Sequence, residues 1–306
     1  MLWVATTLVA AGLQTARNAM QSSLTATLGT LGATQVRFVY GLPFALVFVA
    51  VAAFVAGARV PAPTSSFLGY TVGGAIAQIA GTAFMLAAMR VRSFSVATAF
   101  IKTEAVQVAL FGVVILGEHL TLLGIAAIVL ATAGVCLAAA KPGGTLAAGG
   151  WRFAAYGMAS GAFFALASVG FRGGILALGD GPYYLRAATA LVWALAIQAA
   201  LLGAWMALFA RPALLASLSV WRQSLLAGFF GAFASQFWFL GFSLTAAANV
   251  RTLSLVEVVF AHVVARRVFA QRATARESAG MALVVAGVAL LLLTSERAQI
   301  ASHFVA

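Results

Sequence analysis

Apolar runs of about 20 residues follow one another along almost the whole chain, with short polar segments between them. A helix of that length crosses the hydrocarbon core of a bilayer, so each run predicts a transmembrane helix. Ten spans result, at residues 2–22, 33–56, 67–89, 94–115, 121–140, 152–177, 182–208, 222–244, 248–268 and 276–294. Pro43 falls inside the second span, which it is expected to kink. The pattern predicts an all-α membrane protein of ten transmembrane helices.

The composition excludes a soluble protein. Hydrophobic residues make up 63% of the 306 residues and charged residues only 8%, whereas soluble domains carry about 25% charged residues. Disorder is excluded on the same ground, because low hydrophobicity is what keeps a segment unfolded. The 18 basic and 6 acidic residues are spread singly between apolar runs, and a nucleic-acid-binding protein would cluster its basic residues. The predicted partner is therefore the lipid bilayer, and nucleic acid is not a predicted partner.

The chain matches itself at an offset of 153 residues. The matches are Phe84 with Phe237, Glu104 with Glu257, Thr121 with Thr274, and Ala133-Gly134-Val135 with Ala286-Gly287-Val288. The first repeat, 1–144, and the second, 145–306, hold five spans each. Because five is odd, the second repeat enters the membrane in the opposite sense, and the repeats are inverted. Inverted repeats of this kind are typical of secondary transporters.

Three motifs carry a family resemblance: Leu116-Gly117-Glu118-His119-Leu120-Thr121, Ala133-Gly134-Val135 and Val256-Glu257-Val258-Val259-Phe260. Through them the chain resembles the drug/metabolite transporter superfamily, in particular its EamA-type members. The resemblance implies a basket of five plus five helices around a central cavity, with spans 5 and 10 at the periphery. Many relatives carry a proline after the glutamate of spans 4 and 9. This chain has Ala105 and Val258 there, so the sequence leaves a helix break at these points unpredicted.

Span 1 carries a polar stripe on an otherwise apolar helix. Gln14, Arg17, Asn18 and Gln21 recur at i, i+3, i+4 and i+7 and therefore share one helical face. A charge at the bilayer centre costs about 2.5–3.5 kcal/mol on insertion scales, so such a face indicates a cavity or a polar partner. We interpret Arg17 as a cavity-lining residue, and an interfacial snorkelling side chain is the alternative.

Arginines also begin spans 2 and 7, at Arg37 and Arg186, and aromatic residues such as Tyr40 follow on the same face. A cation beside aromatic walls suits a substrate with a carboxylate and an apolar body, and it equally suits an interfacial anchor. Gln78 and Gln236, in spans 3 and 8, either line a cavity or bond between helices. The predicted substrate-binding residues are Gln14, Arg17, Asn18, Arg37, Tyr40, Gln78, Lys102, Arg186, Gln236, Trp238 and Arg251.

Glu104 and Glu257 are the only acidic residues well inside predicted spans, and they are equivalent in the two repeats. Two interpretations compete. In one, either carboxylate takes up and releases a proton and so couples export to proton entry. In the other, each carboxylate pairs with a buried cation and balances its charge. Lys102 and Arg251 bring a cation near each acid, and a mixed site of this kind would hold a zwitterion such as an amino acid.

These features predict a secondary transporter that exports small organic metabolites by alternating access, with amino acids or related carboxylates as the favoured class. Proton-coupled efflux of cationic drugs and a channel-like facilitator are the alternatives. An enzyme is not predicted, because the chain has no His-Glu-x-x-His run, no Gly-x-Ser-x-Gly elbow and no paired aspartates. No cofactor or metal is predicted, since His262 lies on a different helical face from Glu257. The partners are a small-molecule substrate and, where export is coupled, protons.

The chain is predicted to be a multi-pass protein of the bacterial inner membrane. Met1-Leu2-Trp3 lacks basic residues, so the first span is expected to be retained rather than cleaved as a signal peptide. Five lysines and arginines lie on the N-terminal side of the membrane and twelve on the other side. The positive-inside rule then places both termini outside, whereas the family resemblance implies both termini inside. The sequence leaves the orientation open.

Overall fold

The computed structural model describes residues 1–91, 101–139, 150–260 and 274–305, without the side chains of 15–23, 25–26, 89–91, 139, 150–154 and 295–305. Within these ranges the chain forms helices and turns and no strand. The helices are α1 Leu2–Val39, α2 Leu42–Ala56, α3 Ser65–Val91, α4 Glu104–Leu116, α5 Leu122–Ala139, α6 Gly150–Ala177, α7 Tyr183–Phe209, α8 Arg211–Ser219, α9 Trp221–Leu244, α10 Ala247–Ser254 and α11 Ala275–Val305.

Several helices have the length and composition of membrane spans. In the described part of the chain, six stretches qualify: Thr27–Ala56, Ser65–Ala88, Ala155–Ala177, Tyr183–Phe209, Trp221–Leu244 and Ala275–Thr294. Shorter apolar helices cover Leu2–Gln14, Glu104–Leu116 and Leu122–Ala138. Large apolar side chains point outward, with Phe54 88% and Leu122 85% exposed, as a lipid environment accommodates and water does not. The all-α prediction is therefore confirmed for the described residues, six stretches of which are long and apolar enough to cross a membrane, while the count of ten spans stays a prediction.

The connection expected between spans 1 and 2 is helical instead. The predicted spans end at 22 and resume at 33, but α1 runs from Leu2 to Val39 with an interruption at Gly29, where φ is 67° and ψ is 176°. Only glycine adopts this backbone conformation without strain. Leu24 packs with Val36 and Ala227 in a buried cluster, and this tertiary packing keeps the segment helical although its sequence is rich in small and polar residues.

The kink expected at Pro43 is a complete helix break. A turn at residues 40–41 separates α1 from α2, and Pro43 lies in the first turn of α2. A proline at that position removes an N–H group that would have no intrahelical partner anyway. The break is therefore compatible with the backbone hydrogen bonds on either side, such as the one from the Ala45 amide to the Gly41 carbonyl at 3.1 Å.

Two further helices are interrupted immediately before an acidic residue. A turn at Thr103 precedes α4, which begins at Glu104. In the second case α10 ends at Ser254, Leu255 and Val256 form a turn, and the chain is helical again from Glu257 to Phe260. Both breaks occur without the proline that many members of the resembled family carry, so a break that the sequence left unpredicted is present in each predicted repeat.

The described chain divides into two compact units. The first unit comprises Met1, Ala80–Val169 and Ala246–Ala306, and the second comprises Leu2–Ile79 and Gly170–Thr245. Each unit takes residues from both predicted repeats, 1–144 and 145–306. The repeats are thus not separate compact bodies, and their inverted relation stays a prediction.

In the first unit, α5 and α11 pack backbone against backbone. A Cβ atom on Gly134 would lie 2.6 Å from the Gly280 carbonyl oxygen and 2.7 Å from the Val284 nitrogen. A Cβ atom on Gly287 would lie 2.8 Å from the Ala127 carbonyl oxygen and 2.6 Å from the Ala131 nitrogen. These contacts are equivalent under the offset of 153 residues. Gly287 corresponds to Gly134, and its partners Ala127 and Ala131 correspond to Gly280 and Val284. We call this interface the glycine seam.

The close packing at the glycine seam predicts that alanine substitutions there destabilise the protein. Gly134→Ala and Gly287→Ala should each lower the free energy of unfolding by about 1–3 kcal/mol, because the new methyl group overlaps backbone that cannot rotate away. Gly73→Ala is the matched control, since its Cβ atom would meet nothing within 4 Å and alanine favours a helix by about 1 kcal/mol over glycine. Thermal unfolding in detergent measures the difference. Equal midpoints for Gly134→Ala and Gly73→Ala would contradict the close packing.

The second unit is packed largely by aromatic rings. Phe229 lies 5.3 Å from Phe44 and 5.4 Å from Phe233, and Phe233 lies 5.9 Å from Phe48, measured between ring centroids. These contacts join α2 to α9. Rings at such separations add about 0.5–1.5 kcal/mol per pair beyond the buried area, so this unit is held mainly by apolar contacts.

Candidate functional site

The first unit brings four charged side chains together in two ion pairs. Lys102 Nζ lies 3.4 Å from Glu257 Oε2, and Arg251 Nε lies 3.1 Å from Glu104 Oε1. The four side chains are 13–20% exposed. We call them the four-charge cluster. Its formal charge is zero, which reduces the large cost of keeping charges among apolar helices.

Each ion pair joins a cation from one predicted repeat to an acid from the other. The acids repeat at an offset of 153, but the cations do not, because Leu255 stands at the position equivalent to Lys102. The four-charge cluster as a whole therefore does not follow the 153-residue repeat, whereas the contacts of the glycine seam do.

The helix break in the fourth predicted span positions Glu104. As the first residue of α4, Glu104 lies where the helix dipole favours a negative charge. Helix α6 approaches this break closely, since a Cβ atom on Gly161 would lie 3.0 Å from the Ile101 carbonyl oxygen and 3.4 Å from the Glu104 nitrogen. Glycine at position 161 thus lets α6 lie directly against the break.

Ser168 of α6 fixes the orientation of Arg251. The Arg251 Nε–H group donates a hydrogen bond to Ser168 Oγ at 2.8 Å, and Ser168 Oγ donates to the Phe164 carbonyl oxygen at 2.9 Å. Because Nε carries a single hydrogen, its contact with Glu104 is electrostatic, and Glu104 Oε1 accepts no hydrogen bond from the described residues.

Gln107 lies one turn after Glu104 and belongs to the same group of polar side chains. Its Nε2 atom donates to Thr103 Oγ1 at 3.0 Å. Its Oε1 atom is buried and, like Glu257 Oε1, has no hydrogen-bond donor in the described part of the chain. Leaving a buried acceptor unsatisfied costs about 1–3 kcal/mol, so these oxygens are a feature that requires an explanation.

The second unit holds most of the other predicted binding residues, and several of them bond between helices. Trp238 Nε1 donates to Gln14 Oε1 at 3.0 Å, and Gln198 Nε2 donates to Gln78 Oε1. Gln236 is buried, and its Oε1 has no donor among the described residues. Interhelical hydrogen bonds of this kind stabilise membrane helix packing, as the sequence allowed for Gln78 and Gln236.

The predicted arginine and tyrosine candidates of the second unit contact backbone or a neighbouring ring. Arg186 Nη1 donates to the Gly179 carbonyl at 3.2 Å, and Tyr40 Oη donates to the Leu218 carbonyl at 3.0 Å. The Arg37 guanidinium lies 5.6 Å from the centroid of the Phe38 ring. These contacts are those of side chains near helix ends and fit the interfacial interpretation.

The structure therefore brings together four of the predicted residues, Lys102, Glu104, Arg251 and Glu257. The sequence did not single out Ser168 or Gln107, although Gln107 is polar and one turn from Glu104. Arg17 and Asn18 lie on α1, but their side chains are outside the described residues, and so is His262. Among the residues that the structure describes, no three His, Cys, Asp or Glu side chains converge as a metal site would require.

The architecture occurs in an experimentally determined structure. A crystal structure of a protein is similar to this chain over 97% of each chain, with 17% sequence identity and a TM-score of 0.67. At that identity the likeness concerns the fold alone. No family model and no curated protein matches the chain.

Proposed function

We propose that this chain is a secondary transporter that exports small organic metabolites by alternating access, with amino acids or related carboxylates as its favoured class. The observation that carries the proposal is the four-charge cluster at two interrupted helices. Charged side chains inside membrane helices are costly and mark substrate and ion pathways. Interrupted helices with exposed backbone groups form the substrate sites of many secondary transporters.

The repeat supports the same proposal. Two helix breaks precede Glu104 and Glu257, which are 153 residues apart, and the contacts of the glycine seam pair at the same offset. Two copies of one segment that meet through the same face have a two-fold relation. We therefore propose two inverted repeats of five spans, as in the drug/metabolite transporter superfamily and its EamA-type members, placed in a bacterial inner membrane.

Efflux of cationic drugs is the second candidate, and the unsatisfied acceptors Gln107 Oε1 and Glu257 Oε1 are the observation in its favour. Both carboxylates already have a cation partner, however, at 3.1 Å and 3.4 Å. A bound drug cation would add a net positive charge beside Lys102 and Arg251, whereas a zwitterion adds no net charge. The pairing thus favours zwitterionic amino acids.

Solute counterflow in proteoliposomes tests the proposal. Vesicles preloaded with amino acids, sugars, nucleosides, organic anions or cationic drugs should accumulate the matching labelled solute, with saturation for amino acids or related carboxylates. An imposed pH gradient should then change the rate if a glutamate carries protons and leave it unchanged if both glutamates balance charge. Single-channel currents in a planar bilayer would favour a channel instead, and no exchange of any compound by folded protein would count against transport.

A further inference from the structure

Acceptor oxygens without a hydrogen-bond donor in the described chain lie in and beside the four-charge cluster. Glu104 Oε1, Gln107 Oε1 and Glu257 Oε1 are buried and have no donor among the described residues. Two nearby donor atoms are engaged with other groups, Gln107 Nε2 with Thr103 and Arg251 Nε with Ser168, and Lys102 Nζ uses one of its three N–H groups on Glu257 Oε2. A buried acceptor without a donor destabilises the protein, so a molecule that brings N–H donors to these oxygens is stabilised beside them.

The acceptors are grouped by the two helix breaks. Glu104 and Gln107 are three residues apart on α4 and therefore lie on one face, and Gly161 of α6 lies against both of them. Two ion pairs join Glu257 and its segment to this group, Lys102 with Glu257 at 3.4 Å and Arg251 with Glu104 at 3.1 Å. The breaks thus collect two carboxylates and one amide oxygen in the same part of the first unit.

We propose that these three oxygens form a subsite for the primary ammonium group of the transported molecule. The inference rests on the proposed function and narrows its substrate class from carboxylates in general to molecules that carry a primary ammonium. Such a group presents three N–H donors, as many as there are unsatisfied oxygens. An organic anion brings further acceptors, and a quaternary ammonium brings no N–H donor, so neither satisfies the subsite.

The charge of the cluster selects among ammonium compounds. The cluster is formally neutral, and a bare amine adds one positive charge beside Lys102 and Arg251. A zwitterion adds no net charge. Its carboxylate can accept hydrogen bonds from the two N–H groups of Lys102 that do not contact Glu257. An amino acid therefore binds more tightly than the amine obtained by removing its carboxylate.

Ligand binding to the purified full-length protein in detergent tests the subsite independently of transport. The 20 common amino acids are screened by the rise in thermal unfolding midpoint, and the strongest is compared with its decarboxylated, deaminated and N-trimethylated analogues. The amino acid should bind most tightly and the amine next. The deaminated and trimethylated analogues should be weaker than the amino acid by about tenfold or more, the loss expected for hydrogen bonds to charged groups.

Variants of Gln107 make the test specific. Gln107→Leu removes the amide acceptor and should weaken amino acid binding by about tenfold, whereas Gln107→Glu keeps an acceptor and should retain binding. The control is Gln223→Leu, at an exposed glutamine. A deaminated analogue that binds as tightly as the amino acid, an unchanged affinity in Gln107→Leu, or no stabilisation by any of the amino acids would overturn the subsite.

Transport and subsite can fail separately. Ammonium-dependent binding by a protein that shows no counterflow would remove the transport proposal and keep the subsite. Counterflow that accepts deaminated substrates equally and is unaffected by Gln107→Leu would keep transport and remove the subsite.

Discussion

Arg251→Gln is expected to lower the free energy of unfolding by about 3 kcal/mol, the lower end of the range of about 3–5 kcal/mol for breaking one half of a buried ion pair, because this pair is partly exposed. The variant leaves Glu104, 13% exposed, without its counter-charge and also removes the hydrogen bond to Ser168. The double variant Arg251→Gln/Glu104→Gln should recover a large part of the loss, because no uncompensated charge remains. Thermal and chemical unfolding of purified protein in detergent measures all three.

The control for this series is Arg59→Gln, which removes an arginine from the exposed connection between α2 and α3. Surface charges contribute about 0–1 kcal/mol, so this variant should match the unmodified protein. If Arg251→Gln had the same free energy of unfolding as Arg59→Gln, the ion pair with Glu104 would not stabilise the fold.

Lys102→Met/Glu257→Gln is expected to fold and insert but to lose counterflow by about a hundredfold or more. The double variant removes both charges of one pair, so charge balance is kept while two groups that we propose to bind substrate are lost. Hydrogen bonds to charged groups contribute about 1.5–3 kcal/mol each, and two of them correspond to at least a hundredfold. The initial rate of counterflow, compared at equal amounts of monodisperse protein, measures the effect.

The same experiment separates the two interpretations of the glutamates. A double variant that transports at the rate of the unmodified protein would leave Glu257 a charge-balancing role only. Arg17→Gln belongs in the same series, since the polar stripe of span 1 predicts loss of transport without loss of folding. Normal flux in both Arg17→Gln and the Glu257 variant would refute the site assignment, and Asp180→Asn, at an exposed acid, serves as the control.

Much of the helical pattern follows from the sequence. The runs at 182–208 and 222–244 correspond to Tyr183–Phe209 and Trp221–Leu244, because a continuous apolar run bounded by glycine, proline or arginine has few structural alternatives in a membrane. The segment 23–32 was misassigned since its helix depends on Leu24 packing with Ala227, some 200 residues away. Tertiary contacts of that range leave no local trace in the sequence.

The candidate site, too, is only partly predictable from the sequence. Glu104 and Glu257 stand out because an acid inside an apolar run is rare and costly. Lys102 and Arg251 stand out as well, but the sequence does not show which cation pairs with which acid. Lys102 is two residues from Glu104 in sequence yet contacts Glu257, 155 residues away. The sequence does not predict the helix breaks either. Ala105 and Val258 lack the proline ring, which clashes with the preceding turn and removes a backbone N–H group.

The glycine seam has a consequence for how such a chain can arise. An interface whose contacts pair at a fixed offset of 153 residues presents the same face on both sides, as the subunits of a two-fold homodimer do. A half-length chain carrying one copy of this face would already possess the surface needed to bind a second copy of itself. Joining two copies in one polypeptide makes the association independent of protein concentration. It also allows the two halves to differ, as they do at Lys102 and Leu255.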